Sequence, residues 1–180
     1  NVCCTPFTLY KHYAHEGGIS TPCSISWGNH VKNKGGLNHQ PAQFSDIMST
    51  CVELAGATYP KEYQGRAILP TAGQSILPIV KGKKMPERYI YAEHEGNRMV
   101  RKGDWKLVSA NFKGDEWELY NIKEDRTEQH NLISKYPEMA KELETAYFEW
   151  ADKSDVLYFQ KMWNTYNKNR RKDFKEYKTR

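Results

Sequence analysis

A change in hydrophobic period between residues 88 and 122 constrains the fold of this chain more than any other feature. Apolar and polar side chains alternate there with a period of two, and short turns containing Gly96, Gly103 and Gly114 interrupt the alternation. Such alternation is typical of strands with one buried face, and turns of this length join antiparallel neighbours. The pattern predicts an antiparallel meander of three or four strands. The strand candidates are residues 88–95, 98–101, 105–109 and 117–122.

Two other segments have apolar residues at spacings of three and four, which predicts helices over residues 42–55 and 136–151. Pro41 and Gly56 mark the ends of the first helix, and Pro137 suits the first turn of the second. Both helices are expected to present one apolar stripe.

The rest of the chain is less regular. Residues 19–27 read as a further strand, because apolar side chains recur in a short extended stretch. Residues 57–87 are rich in proline and glycine and are expected to form a long surface connection, with a short helical turn near residues 75–80.

Composition fits a folded, soluble protein. The chain has 180 residues, of which 38% are hydrophobic and 27% charged, and no run of 18 apolar residues occurs. The formal net charge of +5 lies entirely in residues 152–180, which hold nine basic and four acidic residues. This basic aromatic tail is expected to be solvated. A polyanion-binding role, with aromatic rings stacking on bases or sugars, is the alternative.

Four cysteines show no spacing typical of a zinc site or a redox pair. Adjacent Cys3 and Cys4 are poorly placed to form a disulfide with each other. Three connectivities remain open, and free buried thiols are the preferred interpretation.

The first candidate for chemistry is residues 11–18. Lys11 can hold a sulfate or phosphate oxygen, and a neighbouring histidine such as His15 can protonate a leaving oxygen. Gly17 and Gly18 allow close approach of the backbone to a ligand. A solvated strand end with polar residues explains the same composition equally well.

The second candidate is residues 93–98, followed by Arg101. Two carboxylates flank His94, and Arg98 and Arg101 follow at a hairpin tip. By composition alone, an exposed turn with weak charge pairing is favoured. Metal-binding patterns of the HxH, HExxH and DxD types are absent, so no metal ligand is predicted in this chain.

At these two segments the chain resembles the C-terminal region of type I sulfatases of the alkaline phosphatase superfamily, in their arylsulfatase-like branch. The matching motifs are collinear and cover most of residues 5–151. They are Thr5-Pro6-Phe7, Leu9-Tyr10-Lys11-His12, His15 to Pro22, Asp46-Ile47-Met48, Leu54 to Ala57, Tyr59-Pro60, Glu93 to Arg98, Arg101 to Val108, Trp117 to Tyr120, Asp125 to Glu128, Asn131-Leu132 and Tyr136-Pro137-Glu138.

The resemblance and the second candidate segment together give predicted roles to five residues. The family's sulfate-binding lysine precedes its Glu-Gly-Gly by the same step as Lys11, so Lys11 is assigned to stabilise the anion. His15 is the second predicted catalytic residue, near the leaving group of the ester. The predicted substrate-binding residues are His94, Arg98 and Arg101.

The resemblance also implies parts that this chain lacks. The family's nucleophile is a formylglycine made within a C/S-x-P-x-R motif, and its calcium ligands lie upstream of the lysine. Cys4 to Thr8 mimics that motif, but Thr8 stands where the arginine belongs. The chain is therefore interpreted as a C-terminal fragment that is inactive alone. The missing N-terminal catalytic region would supply the formylglycine and calcium.

The implied fold is mixed α/β. Residues 1–56 would end an α/β sandwich domain, residues 57–87 connect, and residues 88–151 form a small α+β domain with a four-stranded antiparallel sheet and a packed helix. The tail over 152–180 follows.

The implied activity is hydrolysis of a sulfate ester, in a sulfated small molecule or glycan, by a periplasmic or secreted protein. No membrane segment and no nucleic-acid partner are expected. A phosphodiesterase or phosphonate hydrolase of the same superfamily is one alternative, and a non-enzymatic polyanion-binding module is the other.

Overall fold

The computed structural model describes residues 4–114, 116–157 and 164. The described chain forms two compact units. One contains the described residues of 1–21 together with those of 88–180, and the other is Pro22–Glu87. The boundaries predicted at 56, 87 and 151 remain a prediction. The functions considered for the tail fall on residues 158–180, which lie outside the described residues apart from Asn164.

The elements occur along the chain in a mixed order of short helices and strands. They are α1 (Glu16–Ile19), α2 (Phe44–Leu54), β1 (Glu62–Tyr63), β2 (Arg66–Ala67), α3 (Leu77–Val80), β3 (Tyr89–His94), β4 (Asn97–Lys102), β5 (Trp105–Ser109), β6 (Trp117–Asn121) and α4 (Pro137–Lys153).

Strands β3 to β6 form one four-stranded antiparallel sheet in sequence order, which confirms the predicted meander and its upper strand count. The β3–β4 turn consists of Glu95 and Gly96, with φ of 53° and 83°. Two central residues with positive φ give the turn a twist that matches a tight hairpin. The Glu93 carboxylate accepts the Gly96 N–H at 2.8 Å and holds the turn closed.

One face of this sheet packs against α4 through an apolar core. Val100, Leu107 and Leu119 lie side by side across β4, β5 and β6, and each is fully buried. Leu143 and Tyr147 of α4 cover them. The helix predicted over 136–151 is therefore confirmed, and its apolar stripe covers the sheet as amphipathic spacing requires.

The opposite face of the sheet packs against the N-terminal segment. Ile90, Met99 and Val108 form a second core there, joined by Ala14 and Ile122. Alternation along each strand sends every second side chain to this face. The segment before α1 is thus part of the same unit as the sheet, although more than 70 residues of sequence separate them.

The unit Pro22–Glu87 corrects several predictions. The strand expected over residues 19–27 is wrong: residues 16–19 are helical and 20–27 hold no regular element. A strand needs a neighbour to accept its backbone hydrogen bonds, and among the described residues none pairs with this stretch. The β1–β2 ribbon lies within the predicted connection, where no strand was expected.

Helix α2 confirms the helix predicted over 42–55, and α3 confirms the turn near 75–80. The apolar stripe of α2 is exposed, with Phe44 88% accessible. The described cysteines are free, as expected, but Cys23 and Cys51 are exposed rather than buried. Neither α2 nor any other helix of the described residues is long and apolar enough to cross a membrane.

Candidate functional site

The segment before α1 is a compact loop closed on its own backbone. The Gly17 N–H donates to the Thr8 carbonyl at 2.9 Å. A Cβ at Gly17 would lie 2.1 Å from the Leu9 carbonyl oxygen, and one at Gly18 would lie 2.0 Å from that of Tyr13. The two glycines are needed because backbone passes directly over them. They allow the loop that carries Lys11 to close on its own backbone, which is a structural role.

A buried charge cluster fixes α1 on the sheet. Lys106 of β5 is fully buried, and its Nζ lies 2.9 Å from Glu16 Oε1 and 2.8 Å from Glu128 Oε1. The other carboxylate oxygen of Glu128 accepts the backbone N–H of Glu16 at 2.8 Å. A buried ammonium and two buried carboxylates are stable only when paired in this way. The cluster therefore joins three distant stretches of sequence.

His15 extends this cluster. Its side chain has no accessible surface, and its Nε2 lies 2.8 Å from Glu118 Oε2. A carboxylate can only accept, so Nε2 carries the proton, and Nδ1 has no hydrogen-bond partner among the described residues. Burial lowers the pKa of His15, and the bond to Glu118 offsets this only in part. Burial raises the pKa of Glu118, but bonds from Lys113 and His15 outweigh it and leave that pKa lowered.

An open pocket of about 270 Å³ lies beside the loop, at the tip of the β3–β4 hairpin. Its walls are phenol, imidazole, carboxylate and amide groups. They belong to Tyr10, His12, Tyr13, Glu95, Asn97 and Asn111. Asn97 is buried, and its Oδ1 accepts the Asn111 N–H at 3.1 Å, which fixes one wall of the pocket. The pocket is formed within one compact unit and offers mainly hydrogen-bonding groups.

The predicted site residues fall into different surroundings. His94 lies at the pocket rim, where its ring stacks on His12 with 5.2 Å between centroids. Lys11 is exposed beside His12 and makes no hydrogen bond or ion pair with any other described residue. His15 lies in the buried cluster. The structure thus brings His94 and the Lys11 loop together and separates His15 from the solvent.

The two arginines lie on opposite faces of the sheet. Arg98 stacks over the Trp117 ring at 4.6 Å, on the face covered by α4. The Nε of Arg101 donates to the Gly103 carbonyl at 2.9 Å on the other face, and burial lowers the pKa of Arg101. Neither lines the pocket. Their predicted substrate-binding role stays a prediction.

Sequence reasoning missed Lys106, Glu128 and Glu118 as parts of the site. Each lies about 90 or more residues from its partner in the α1 segment. The one signal in the sequence is a lysine within a short, mostly apolar strand, 105–109. A charge at a position that alternation assigns to a buried face requires a buried partner.

Comparison with known proteins decides the family. The family described as "N-sulphoglucosamine sulphohydrolase, C-terminal" matches residues 7–153. The chain belongs to the sulfatases. The match covers both the loop that carries Lys11 and the sheet that supports it, which confirms the resemblance read from the motifs.

Several curated sulfatases are similar to this chain. A protein of Schizosaccharomyces pombe named as an uncharacterized sulfatase is 31% identical over 144 residues, which is 77% of this chain and 26% of that protein. An N-acetylglucosamine-6-O-sulfatase of Bacteroides thetaiotaomicron is 27% identical over 140 residues, which is 74% of this chain and 25% of that protein. The chain spans about a quarter of the length of these two relatives.

A third relative is an ulvan-active sulfatase of Formosa agariphila, 24% identical over 197 residues, with coverage of 85% of this chain and 39% of that protein. Among solved structures, a 2-O GAG sulfatase is 28% identical and superposes with a TM-score of 0.44, covering 62% of this chain and 25% of that one.

The described residues do not fit the calcium ion that the family implies. Calcium takes six to eight oxygen ligands, mostly from carboxylates and carbonyls. Within the described residues, the one group of three or more metal-ligating side chains is His12, His94 and Glu95, which offers two imidazoles and one carboxylate. The described residues therefore supply no calcium site.

Proposed function

We propose that the intact protein hydrolyses sulfate esters and that this chain provides part of the pocket that holds the sulfated group. The observation that carries the proposal is the position of the Lys11 loop. Lys11, which the resemblance aligns with the family's sulfate-binding lysine, lies between Tyr10 and His12 of the polar pocket. The Lys106 cluster fixes the helix that follows this loop to the sheet.

Lys11 supplies a positive charge beside the pocket. A sulfate monoester carries a negative charge, and an ammonium group placed beside it stabilises the negative charge on the sulfuryl oxygens while the alcohol departs. Lys11 is exposed and has no competing partner among the described residues, so its ammonium is available for an anion.

The pocket favours a sugar as the rest of the substrate. Tyr10 and Tyr13 supply aromatic edges with hydroxyl groups, and Asn97 and Asn111 supply amides. Such groups donate to and accept from the hydroxyls of a saccharide. Relatives of this chain are named for N-acetylglucosamine-6-O-sulfate and ulvan, which supports a sulfated glycan as the substrate class.

The remaining parts of the proposal follow from the family. The formylglycine nucleophile and calcium would come from the rest of the protein, and its location would be periplasmic or secreted. We assign His94 a role in substrate contact, since its ring stacks on that of His12 in the pocket wall. Because His15 is buried, we assign it a positioning role through Glu118 in preference to direct proton transfer.

The first prediction tests Lys11 in the intact protein. Lys11→Ala should lower sulfate release from sulfated saccharides by roughly 100-fold or more, because one charged contact to the transition state contributes about that much. Lys123→Ala is the matched control, since Lys123 is also exposed and its side chain has no partner in the described chain. Sulfate release is followed by ion chromatography.

Two results would contradict the proposal. One is turnover by Lys11→Ala equal to that of Lys123→Ala on every sulfated substrate. The other is faster release of phosphate than of sulfate from matched aryl esters, which would support the phosphodiesterase or phosphonate hydrolase alternative.

A further inference from the structure

His12, His94 and Glu95 form a group of possible metal ligands beside the proposed substrate pocket. The first residue comes from the Lys11 loop and the other two from the tip of the β3–β4 hairpin, and 82 positions separate the two histidines. The ligand atoms of the three side chains all lie within 4.8 Å of one another. We propose that these residues bind a divalent zinc-type cation at the rim of the pocket.

The spacing of the donor atoms supports zinc. His12 Nδ1 lies 3.2 Å from His94 Nε2 and 3.5 Å from Glu95 Oε2. Zinc binds imidazole nitrogen at about 2.0–2.1 Å, so two ligands of a tetrahedral ion lie roughly 3.3–3.4 Å apart. Both measured separations are close to this edge length. The third pair of ligand atoms, on His94 and Glu95, lies within 4.8 Å.

The ligand types select the class of metal. Two neutral imidazoles and one carboxylate suit zinc and its neighbours among the transition metals, whereas calcium and magnesium prefer oxygen alone. Three protein ligands leave a fourth position for water or an anion, as in zinc sites that are open to solvent. All three side chains are exposed, so an ion can enter from solution.

The backbone holds two of these residues in conformations that are uncommon for side-chain-bearing residues. The φ of His12 is 82° and that of Glu95 is 53°. Non-glycine residues with positive φ cost free energy and persist where the surrounding structure fixes them. Here Asn111 Nδ2 donates to the Glu95 carbonyl at 2.7 Å and supports the hairpin tip. The ligands are thus positioned before an ion arrives.

The inference does not depend on hydrolase activity, and its test is metal binding. Isothermal titration calorimetry of the intact protein with Zn²⁺ should show binding at this site. His12→Ala and Glu95→Gln should each lower the affinity for Zn²⁺ by more than about tenfold, because loss of even a residue that only supports a ligand lowers metal affinity by about that much. His130→Ala is the control, because His130 is an exposed histidine remote in sequence from the three ligands.

A second measurement reports the geometry. Co²⁺ bound by three protein ligands in a tetrahedral site gives strong visible absorption, and this absorption should appear in the wild type and in His130→Ala but not in His12→Ala. Equal Zn²⁺ stoichiometry and affinity in wild type and His12→Ala would overturn the proposal. So would a Co²⁺ spectrum that the His12→Ala and Glu95→Gln variants share with the wild type.

Discussion

The two faces of the four-stranded sheet are held by different interactions. On the α4 face, Val100, Leu107 and Leu119 meet apolar residues such as Leu143. The opposite face has a second apolar core that includes Ile90 and Val108, and there Lys106 also meets carboxylates from α1 and from the loop after β6. We call this opposite face the charged face. Apolar contact depends on volume and tolerates similar side chains, whereas buried charges require every partner to be present.

The difference indicates what each face does. The α4 face supplies stability to the sheet through area removed from water. The charged face packs against the loop that carries Lys11, which has little regular secondary structure. Ion pairs and hydrogen bonds hold the end of that loop against β5 and the segment after β6. Because Lys11 belongs to this loop, the precision of the candidate site depends on a few ion pairs more than on the larger apolar core.

Removal of Lys106 should have the largest effect on stability and is the strongest test of the difference between the two faces. Lys106→Ala leaves Glu16 and Glu128 buried without their cation, which destabilises the region by about 3–5 kcal/mol. Amide hydrogen exchange of Glu16, whose N–H donates to Glu128, measures this opening directly in the intact protein. Sulfate release should fall with it, because the Lys11 loop loses its support.

Lys123→Ala serves as the control for loss of a lysine without a buried partner. Exchange at Glu16 should be unchanged in this variant. A change of less than about 1 kcal/mol in Lys106→Ala would show that the cluster behaves as an exposed ion pair, and the contrast between the faces would then be wrong.

Leu143→Ala tests the other face and should have a somewhat smaller effect. Leu143 is fully buried, so the substitution leaves a cavity and destabilises the unit by about 3 kcal/mol, within the range for such changes. Leu143→Met keeps the volume and should cost less than about 1.5 kcal/mol. Thermal unfolding of the intact protein measures both. Equal losses in the two variants would contradict a core that depends on volume.

Much of the sheet unit was predictable because its signals are local. The period of two across residues 88–122 and the glycine turns predict three or four strands, of which four form, and the spacing in residues 136–151 predicts α4. The Lys11 loop was identified by its motif and not by its shape. Its residues give no period, so neither the one-turn helix α1 nor the backbone packing around Gly17 and Gly18 could be inferred.

The parts that escaped prediction depend on distant residues. Sequence spacing cannot show that Lys106 meets Glu128, or that His12 meets His94, because the fold decides those contacts. The strand expected over residues 19–27 failed for a related reason. A short apolar stretch forms a strand only when a second strand is available to pair with it. The local sequence of residues 19–27 does not show whether such a partner exists.

The smallest expected effect concerns His15 and pH. Its pKa is lowered in the folded protein from the ordinary value of 6.5, since burial disfavours the imidazolium and Nδ1 has no acceptor among the described residues. Below about pH 6.5 the unfolded chain therefore binds a proton that the folded chain does not. Stability should fall as pH drops from 7 to 5, with a slope of at most about 1.4 kcal/mol per pH unit from this group.

His15→Gln isolates this contribution, because glutamine does not titrate and its amide can still donate to Glu118. Thermal unfolding between pH 7 and pH 5 should depend on pH less in His15→Gln than in the wild type. Glu118 does not contribute to this pH dependence between pH 7 and pH 5. Because its pKa is lowered, protonation of Glu118 destabilises the fold only below about pH 4.5. Parallel pH profiles for the two proteins would mean that His15 is protonated as readily in the fold as in the unfolded chain. The charged face would then be accessible to water, and its contrast with the α4 face would be lost.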